Sequence, residues 1–356
     1  MDNKRLFIHI GTQKTGTTTI QSILSKYNNK LLGEGICYLG RFPEIARKVR
    51  GLTRFEPELV DELRDEASRN ISLPKHKNIH TYVVSNEKFS GDKMISYRNA
   101  GLIASLLKET FEPFSFDIQI IVYLRRQDSF IESTYAQRIY SGAIYSFDEF
   151  MEHFDENDFH WNDFLKQYAD VFGKENIKVK RFDRKYLPRP TSLIQTFGET
   201  IGSEILQNVT EGLVENSGFS RNALEISRIT NQYLSKDEMR KLRDILKEIE
   251  IKGEKCVFLT NAERKEFLKI YEKSNREVAL NYLNDQTGDL FSSPNFSSEN
   301  PQHLQKELTM ESLSMMLSEV ILKMNDTLNK ERLKVKNLES HKPFKKRIKN
   351  MLRNLR

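Results

Sequence analysis

Apolar positions over the first 200 residues alternate between short continuous runs and three- and four-residue spacings. Leu6, Phe7, Ile8 and Ile10 form a run of strand length, and Ile20, Ile23, Leu24 and Tyr27 then recur on one helical face. The β-branched segment Thr81 to Val84 predicts a second strand. Leu102, Ile103, Leu106, Leu107 and Phe111 predict an amphipathic crossover helix over 98–111. The apolar run Ile118 to Leu124, with Gln119 within it, has the length and branching of a central parallel strand. Ile177 to Phe182 follows as another strand, entered through Phe172-Gly173-Lys174. Pro188 and Pro190 interrupt the chain before a helix from Ser192 to Ile201, with Gly202 placed as its C-cap. This alternation predicts an α/β fold, a mostly parallel sheet with helices on both faces. Residues 40–80 are polar and lack strong periodicity. Beyond residue 203 the spacing becomes helical over 221–234, 236–250 and 261–283, which predicts a helical C-terminal extension.

Between the first strand and the first helix lies GTQKTGTT, residues 11–18. Gly11 and Gly16 let the backbone turn its amide groups inward, and Thr17 opens the helix. Free N–H groups, the helix dipole and the Thr17 and Thr18 hydroxyls at that terminus suit a bound anion. In the nucleoside-triphosphatase motif GxxxxGK[ST], lysine follows the second glycine. Here Gly11 and Gly16 keep that spacing, but Thr17 occupies the lysine slot and Lys14 lies within the loop.

The string GTQKTGTT resembles the 5′-phosphosulfate loop of sulfotransferases that use 3′-phosphoadenosine 5′-phosphosulfate (PAPS), a family with a P-loop-like sheet. The strand Ile118 to Leu124 ends in Arg125-Arg126, with Ser133 eight residues after Arg125 on the next helix. The resemblance implies that Arg125 and Ser133 bind the donor's 3′-phosphate, and eight residues, about two helical turns, are compatible with such convergence. VFGKENIKVKRFDR also resembles the family's following strand. By the same resemblance Gly11, Thr12, Gln13, Lys14, Thr15, Gly16, Thr17 and Thr18 form the donor site, and Lys14 neutralises the departing oxygen. Gln13 departs from the histidine of many bacterial relatives. Ser85-Asn86-Glu87 follows the second strand, and Glu87 is the expected base toward a hydroxyl or amine, with a carbohydrate as the expected acceptor. Its alternative is an ion pair with Lys88 or Lys14. His9 is the second candidate base, although in FIHI it suits a hydrogen-bonded core position; His80 and His160 are placed as structural or acceptor-facing. Residues 40–80 are assigned to the acceptor side of the cleft, and Glu215-Asn216-Ser217 to a loop closing over the nucleotide.

Composition adds limits. Cys37 and Cys256 make neither a disulfide framework nor a metal-ligand spacing. The first strand begins within about five residues of Met1, and no apolar stretch approaches the ~20 residues of a membrane span. A reducing, cytoplasmic setting is expected. Residues 285–308 are rich in Ser, Asn and Pro and read as a flexible linker between a catalytic domain (1–284) and a terminal segment (309–356). Asn329 to Arg356 holds eleven Lys and Arg against two Glu, a net +9 that leaves the preceding residues near −3 within a total of +6. Leu313, Leu317, Val320, Met324 and Leu328 form a stripe suited to packing on the domain or to a short coiled coil. Phe344, Ile348, Met351, Leu352 and Leu355, interleaved with cations, suit a peripheral helix on an anionic membrane surface. Specific nucleic-acid binding is not expected, since charge alone supplies only non-specific attraction. Oligomeric state is left open. Two readings from other classes stand beside the sulfotransferase: a P-loop kinase, with Glu87 or Asp128 as magnesium ligand, and a non-catalytic membrane- or glycan-binding protein.

Overall fold

The computed structural model describes residues 4–72, 78–189, 191–210, 220–249, 257–293 and 310–353; the side chains of 247–249, 311–312 and 337–353 lie outside that description. Glu215-Asn216-Ser217, Cys256, residues 294–308 and the tail side chains from Phe344 onward therefore lie outside the described residues.

In chain order the elements are β1 (Arg5–His9), α1 (Thr17–Lys26), α2 (Asn28–Gly33), β2 (Ile36–Gly40), α3 (Pro43–Arg50), α4 (Pro57–Ser72) and β3 (Thr81–Ser85). There follow α5 (Ala100–Phe111), β4 (Asp117–Leu124), α6 (Gln127–Tyr140), α7 (Phe147–Glu152), α8 (Trp161–Phe172), β5 (Ile177–Arg181), α9 (Ser192–Ile201) and α10 (Glu204–Gln207). The remainder is helical: α11 (Arg221–Thr230), α12 (Lys236–Ile249), α13 (Asn261–Lys269), α14 (Glu272–Leu283) and α15 (Met310–Arg353). The chain divides into two units, one of residues 1–134, 152–216 and 259–298, the other of residues 135–151, 217–258 and 299–356.

The first unit is built on five strands in the order β2-β3-β1-β4-β5, every pairing parallel. Parallel strands need crossovers, and the helices between them cover both faces, so Ile120 through Leu124 are all fully buried. On one face Phe7, Val83, Ile121 and Tyr123 pack with Ile20, Ile23 and Leu24 of α1 and with Ile194, Phe197 and Ile201 of α9. The α/β expectation holds, and α9 with its left-handed Gly202 cap falls where the proline and glycine signals put it.

Three local expectations change. Residues 40–80, read as aperiodic, contain α3 and α4, preceded by β2; Ile45, Ala46, Val49, Leu59, Val60 and Leu63 are buried. Pro43 and Pro57 each open a helix, which suits a residue whose N–H would lack a partner there anyway. The 261–283 helix is two, broken at Ile270-Tyr271, with the Tyr271 ring fully buried. The start of the expected linker is tied down: Arg181 ion-pairs with Asp285 and donates to the Leu290 carbonyl at 2.9 Å, Ser292 binds Asp183, and Leu290 is buried.

In the second unit Tyr135 packs among Phe147, Phe150 and Phe258, and Asn231 donates to the carbonyls of Ile139 and Ala143. The α15 stripe leaves Leu317, Met324 and Leu328 about half exposed. No described helix is long and apolar enough to cross a membrane.

Candidate active site

The strand order decides what meets what. Because β1 lies between β3 and β4, the loop after β1, Ser85-Asn86-Glu87 after β3 and Arg125 after β4 share the carboxyl edge of the sheet, where open parallel sheets bind ligands.

The loop is braced from below. Thr12 Oγ1 donates to the Tyr123 carbonyl at 2.8 Å and Thr15 Oγ1 to the Thr12 carbonyl at 2.5 Å. Those hydroxyl protons hold the loop shape rather than a ligand, so what these residues offer outward is backbone. Tyr97 donates its hydroxyl to Gln13 Oε1, and Gln13 Nε2 reaches the Gly91 carbonyl at 3.5 Å; Gln13 is a brace as well. Gly11 and Gly16 have φ of +38° and +79°. Lys14 also takes a left-handed conformation (φ +70°), which costs a non-glycine residue on the order of 1–2 kcal/mol. Helical bonding starts only at Thr19 and Ile20, both on the Gly16 carbonyl at 3.0 and 3.1 Å. The N–H groups of Gly16, Thr17 and Thr18 thus have no acceptor among the described residues, as at any unfilled helix N-terminus. Thr18 is exposed, whereas Thr17 is buried with no partner for its hydroxyl.

Two cations frame this terminus. Arg125 donates from Nη1 to the Lys14 carbonyl at 3.0 Å and from Nε to Ser129 Oγ at 2.9 Å, while the Trp161 indole holds the Arg125 carbonyl at 2.9 Å. Burial, then repulsion from Arg125, pulls the Lys14 ammonium below its ordinary value. Burial also brings Arg125 down to about 10, with Glu132 and Asp128 opposing and Arg126 assisting. Neither cation makes an ion pair with a carboxylate among the described residues. Ser133, half-buried, lies one turn beyond Ser129 on α6, so both occupy the same side of that helix. Ser129 is a partner the sequence reading missed; its signal is the four-residue offset from Arg125.

Glu87 opens a short 3₁₀ turn for which Asn86 is the N-cap. Its carboxylate accepts from Gln21 Nε2 at 3.2 Å, the same amide that donates to the Ser85 carbonyl at 3.0 Å. Gln21 Oε1 in turn accepts from Arg41 Nη1 at 3.1 Å. Glu87 therefore makes no ion pair with Lys14 or Lys88, and the chain Arg41–Gln21–Glu87 takes its place. Its sequence signal was a glutamine beside the apolar stripe of α1. The Tyr38 hydroxyl lies in the same electrostatic neighbourhood without a partner, and is pushed up to about 12 by burial, with Arg41 opposing and Glu87 assisting.

The other candidates are sorted by position. His9 is wholly buried on the α1–α9 face, edge-on to Tyr123 and Phe197, with Nδ1 2.8 Å from Ser85 Oγ. It occupies the hydrogen-bonded core position that FIHI suggested. His80 packs against Gly35 before β3, at the opposite end of the sheet from the loop. His160 Nε2 pairs with the Glu156 carbonyl at 2.9 Å. Asp128 is fully buried; burial alone would raise its pKa, but Arg126 and Arg264 hold it below the ordinary carboxylate value. Engaged by two guanidiniums, it is a structural anchor of α6.

The residues present fit a nucleotide phosphate by a test internal to the loop. A Cβ on Gly11 would sit 2.7 Å from Thr17 Oγ1 and 3.1 Å from His9 Nε2, two buried polar atoms with no partner. Glycine lets both groups approach the loop backbone closely, and neither polar atom has a hydrogen-bond partner among the described residues.

No family model matches the chain. It is 27% identical over 169 residues to an uncharacterized protein of Archaeoglobus fulgidus, covering 46% of each, so the chain spans less than half the length of that relative. Among solved structures it is similar to a sulfotransferase from Alicyclobacillus acidocaldarius, with a TM-score of 0.39 and 16% identity over 67% of this chain and 99% of that one.

Proposed function

We propose that this chain is a sulfotransferase that moves a sulfuryl group from PAPS to a hydroxyl or amine, of a carbohydrate. The observation that carries the reading is the pair Lys14–Arg125: two partly buried cations, joined through one carbonyl and lacking a carboxylate partner, beside the free N–H groups of Gly16, Thr17 and Thr18. A polyanion with phosphates at both ends of a nucleoside satisfies all of them at once.

When bound, PAPS supplies the activated sulfuryl group. The loop amides and Thr17 hold the 5′-phosphate, and Arg125 with Ser133 takes the 3′-phosphate. Lys14 faces the oxygen on which charge develops as the sulfuryl group departs, where a fixed cation is worth most. Glu87 accepts the proton of the attacking hydroxyl or amine, its carboxylate turned by Gln21 so that one oxygen is held and the other stays available. Arg41, behind Gln21, fixes the amide's orientation.

Calorimetry with adenosine 3′,5′-bisphosphate, ADP and ATP tests the reading. Tight, magnesium-independent binding of the bisphosphate is expected. Preference for ATP in the presence of magnesium would favour the kinase, and no binding of any of them would leave a non-catalytic module.

A further inference from the structure

Beneath the loop three buried polar side chains stand in sequence. Ser85 Oγ is 2.8 Å from His9 Nδ1, His9 Nε2 faces the space at Gly11, and Thr17 Oγ1 faces the same space from the first turn of α1. All three residues are at most 5% exposed. We propose that Ser85, His9 and Thr17 form a relay that fixes the Thr17 hydroxyl as a donor to the 5′-phosphate of the nucleotide, with His9 as a positioning residue. The inference rests on the reading of this loop as a nucleotide phosphate cradle.

Proton bookkeeping sets what the relay requires. Neutral imidazole carries one N–H, and its tautomer is set by the partner of the other nitrogen. Burial pushes His9 down to about 3, so the ring is neutral at ordinary pH. If Nδ1 held the proton, Ser85 would accept it, and the serine's own proton would have no acceptor among the described residues. Either neutral tautomer leaves one buried donor without a partner among the described residues, the Ser85 hydroxyl or the Nε2–H, because His9 Nε2 and Thr17 Oγ1 are not hydrogen-bonded to each other. The relay takes the tautomer in which Ser85 donates to Nδ1 and the ring proton sits on Nε2, where Thr17 Oγ1 can accept it once its own proton turns to a phosphate. From there it points to the space shared with Thr17 Oγ1. A threonine oxygen that accepts on that side has its own proton free for a phosphate oxygen. The opposite tautomer would draw the Thr17 proton inward and leave an acceptor facing an anion. Gly11 is part of the device, because any side chain there would separate Nε2 from Oγ1.

A double-mutant cycle read by calorimetry tests this with adenosine 3′,5′-bisphosphate, which has the 5′-phosphate, and 3′-AMP, which lacks it. Thr17→Val and His9→Asn should each weaken the bisphosphate roughly tenfold, as loss of a hydrogen bond to a charged group does. Both should leave 3′-AMP within about twofold, and the double variant should be no weaker than Thr17→Val alone. His9→Gln, whose amide can place an N–H near the Nε2 position, should bind within about threefold of the parent. Additive losses, equal losses for 3′-AMP, or His9→Gln as weak as His9→Asn would overturn the relay. Should the His9 variants fail to fold, the same cycle on Ser85→Ala and Thr17→Val, near-isosteric changes, decides it by the same non-additivity. A parent that binds ADP in preference to the bisphosphate would remove the sulfotransferase reading, and the cycle measured with ADP would still decide the relay. A parent that binds neither nucleotide would overturn both.

Discussion

Arg125 donates from Nη1 to the carbonyl of Lys14 at 3.0 Å, so the cation at the end of β4 positions the backbone of the residue that carries the other cation. The hold of Arg125 on the loop and its proposed contact with a 3′-phosphate are told apart by substitution. Arg125→Ala should weaken adenosine 3′,5′-bisphosphate by one to two orders of magnitude and 5′-AMP by a smaller but measurable factor, since the loop is loosened as well. Ser133→Ala, which leaves the Arg125–Lys14 contact in place, should weaken the bisphosphate and spare 5′-AMP. Identical ratios for the two ligands in both variants would detach the 3′-phosphate from this end of the site.

Lys14 should matter to turnover more than to binding. In the proposed mechanism its ammonium meets the charge that appears during reaction, so Lys14→Ala should lower kcat by roughly 10²–10³ while the dissociation constant of the bisphosphate rises only several-fold. Steady-state kinetics beside calorimetry separates the two quantities. A variant that loses affinity and turnover in the same proportion would make Lys14 a binding group.

Much of this geometry was legible in the sequence because it depends on short-range patterning. The apolar stretch Ile120 to Leu124 could be satisfied only by burial on two faces, and the GTQKTGTT turn marked a loop between a strand and an amphipathic helix. What escaped was what depends on tertiary contact. Gln21 looks like an ordinary polar helix residue until α1 is laid beside β3, and Arg41 stands 20 positions away from it in a segment without clear periodicity. The hydroxyl partners of Thr12 and Thr15 escaped for the same reason: a motif names residue types, but only the fold shows that their protons go to the Tyr123 and Thr12 carbonyls. The short apolar strand β2 was hidden between helical and polar surroundings.

Glu87→Gln keeps the side chain's shape and removes its basicity. Turnover should fall by roughly 10²–10⁴ with little change in nucleotide affinity, and the acidic limb of the turnover–pH profile should disappear. Gln21→Leu leaves the carboxylate but frees it from its holder, so a smaller loss is expected, with the acidic limb retained. If Glu87→Gln turned over normally with that limb intact, the base would have to be sought elsewhere on the sheet edge.

The burial of His9 has a thermodynamic signature that is independent of any reaction. In the folded chain its pKa is pushed from 6.5 to about 3 by desolvation. Between those values the unfolded chain takes up a proton that the native chain refuses, so the unfolded state binds more protons and stability falls as the pH falls. The contribution is fully present above pH ~6.5 and is lost progressively toward pH ~3, at about 1.4 kcal/mol per pH unit, so a descent from 6.5 to 4.5 removes on the order of 2–3 kcal/mol. Asp128, whose pKa lies below 3.8, loses its own contribution only below that value, so the two windows overlap there but not at pH 4.5. His9→Gln cannot titrate and should flatten this part of the profile, even if the variant is less stable at neutral pH. Urea midpoints of parent and variant at pH 7 and 4.5 provide the comparison. Equal acid-induced losses in the two proteins would mean that His9 is protonated in the native fold well above pH 3 and that its burial is relieved in solution.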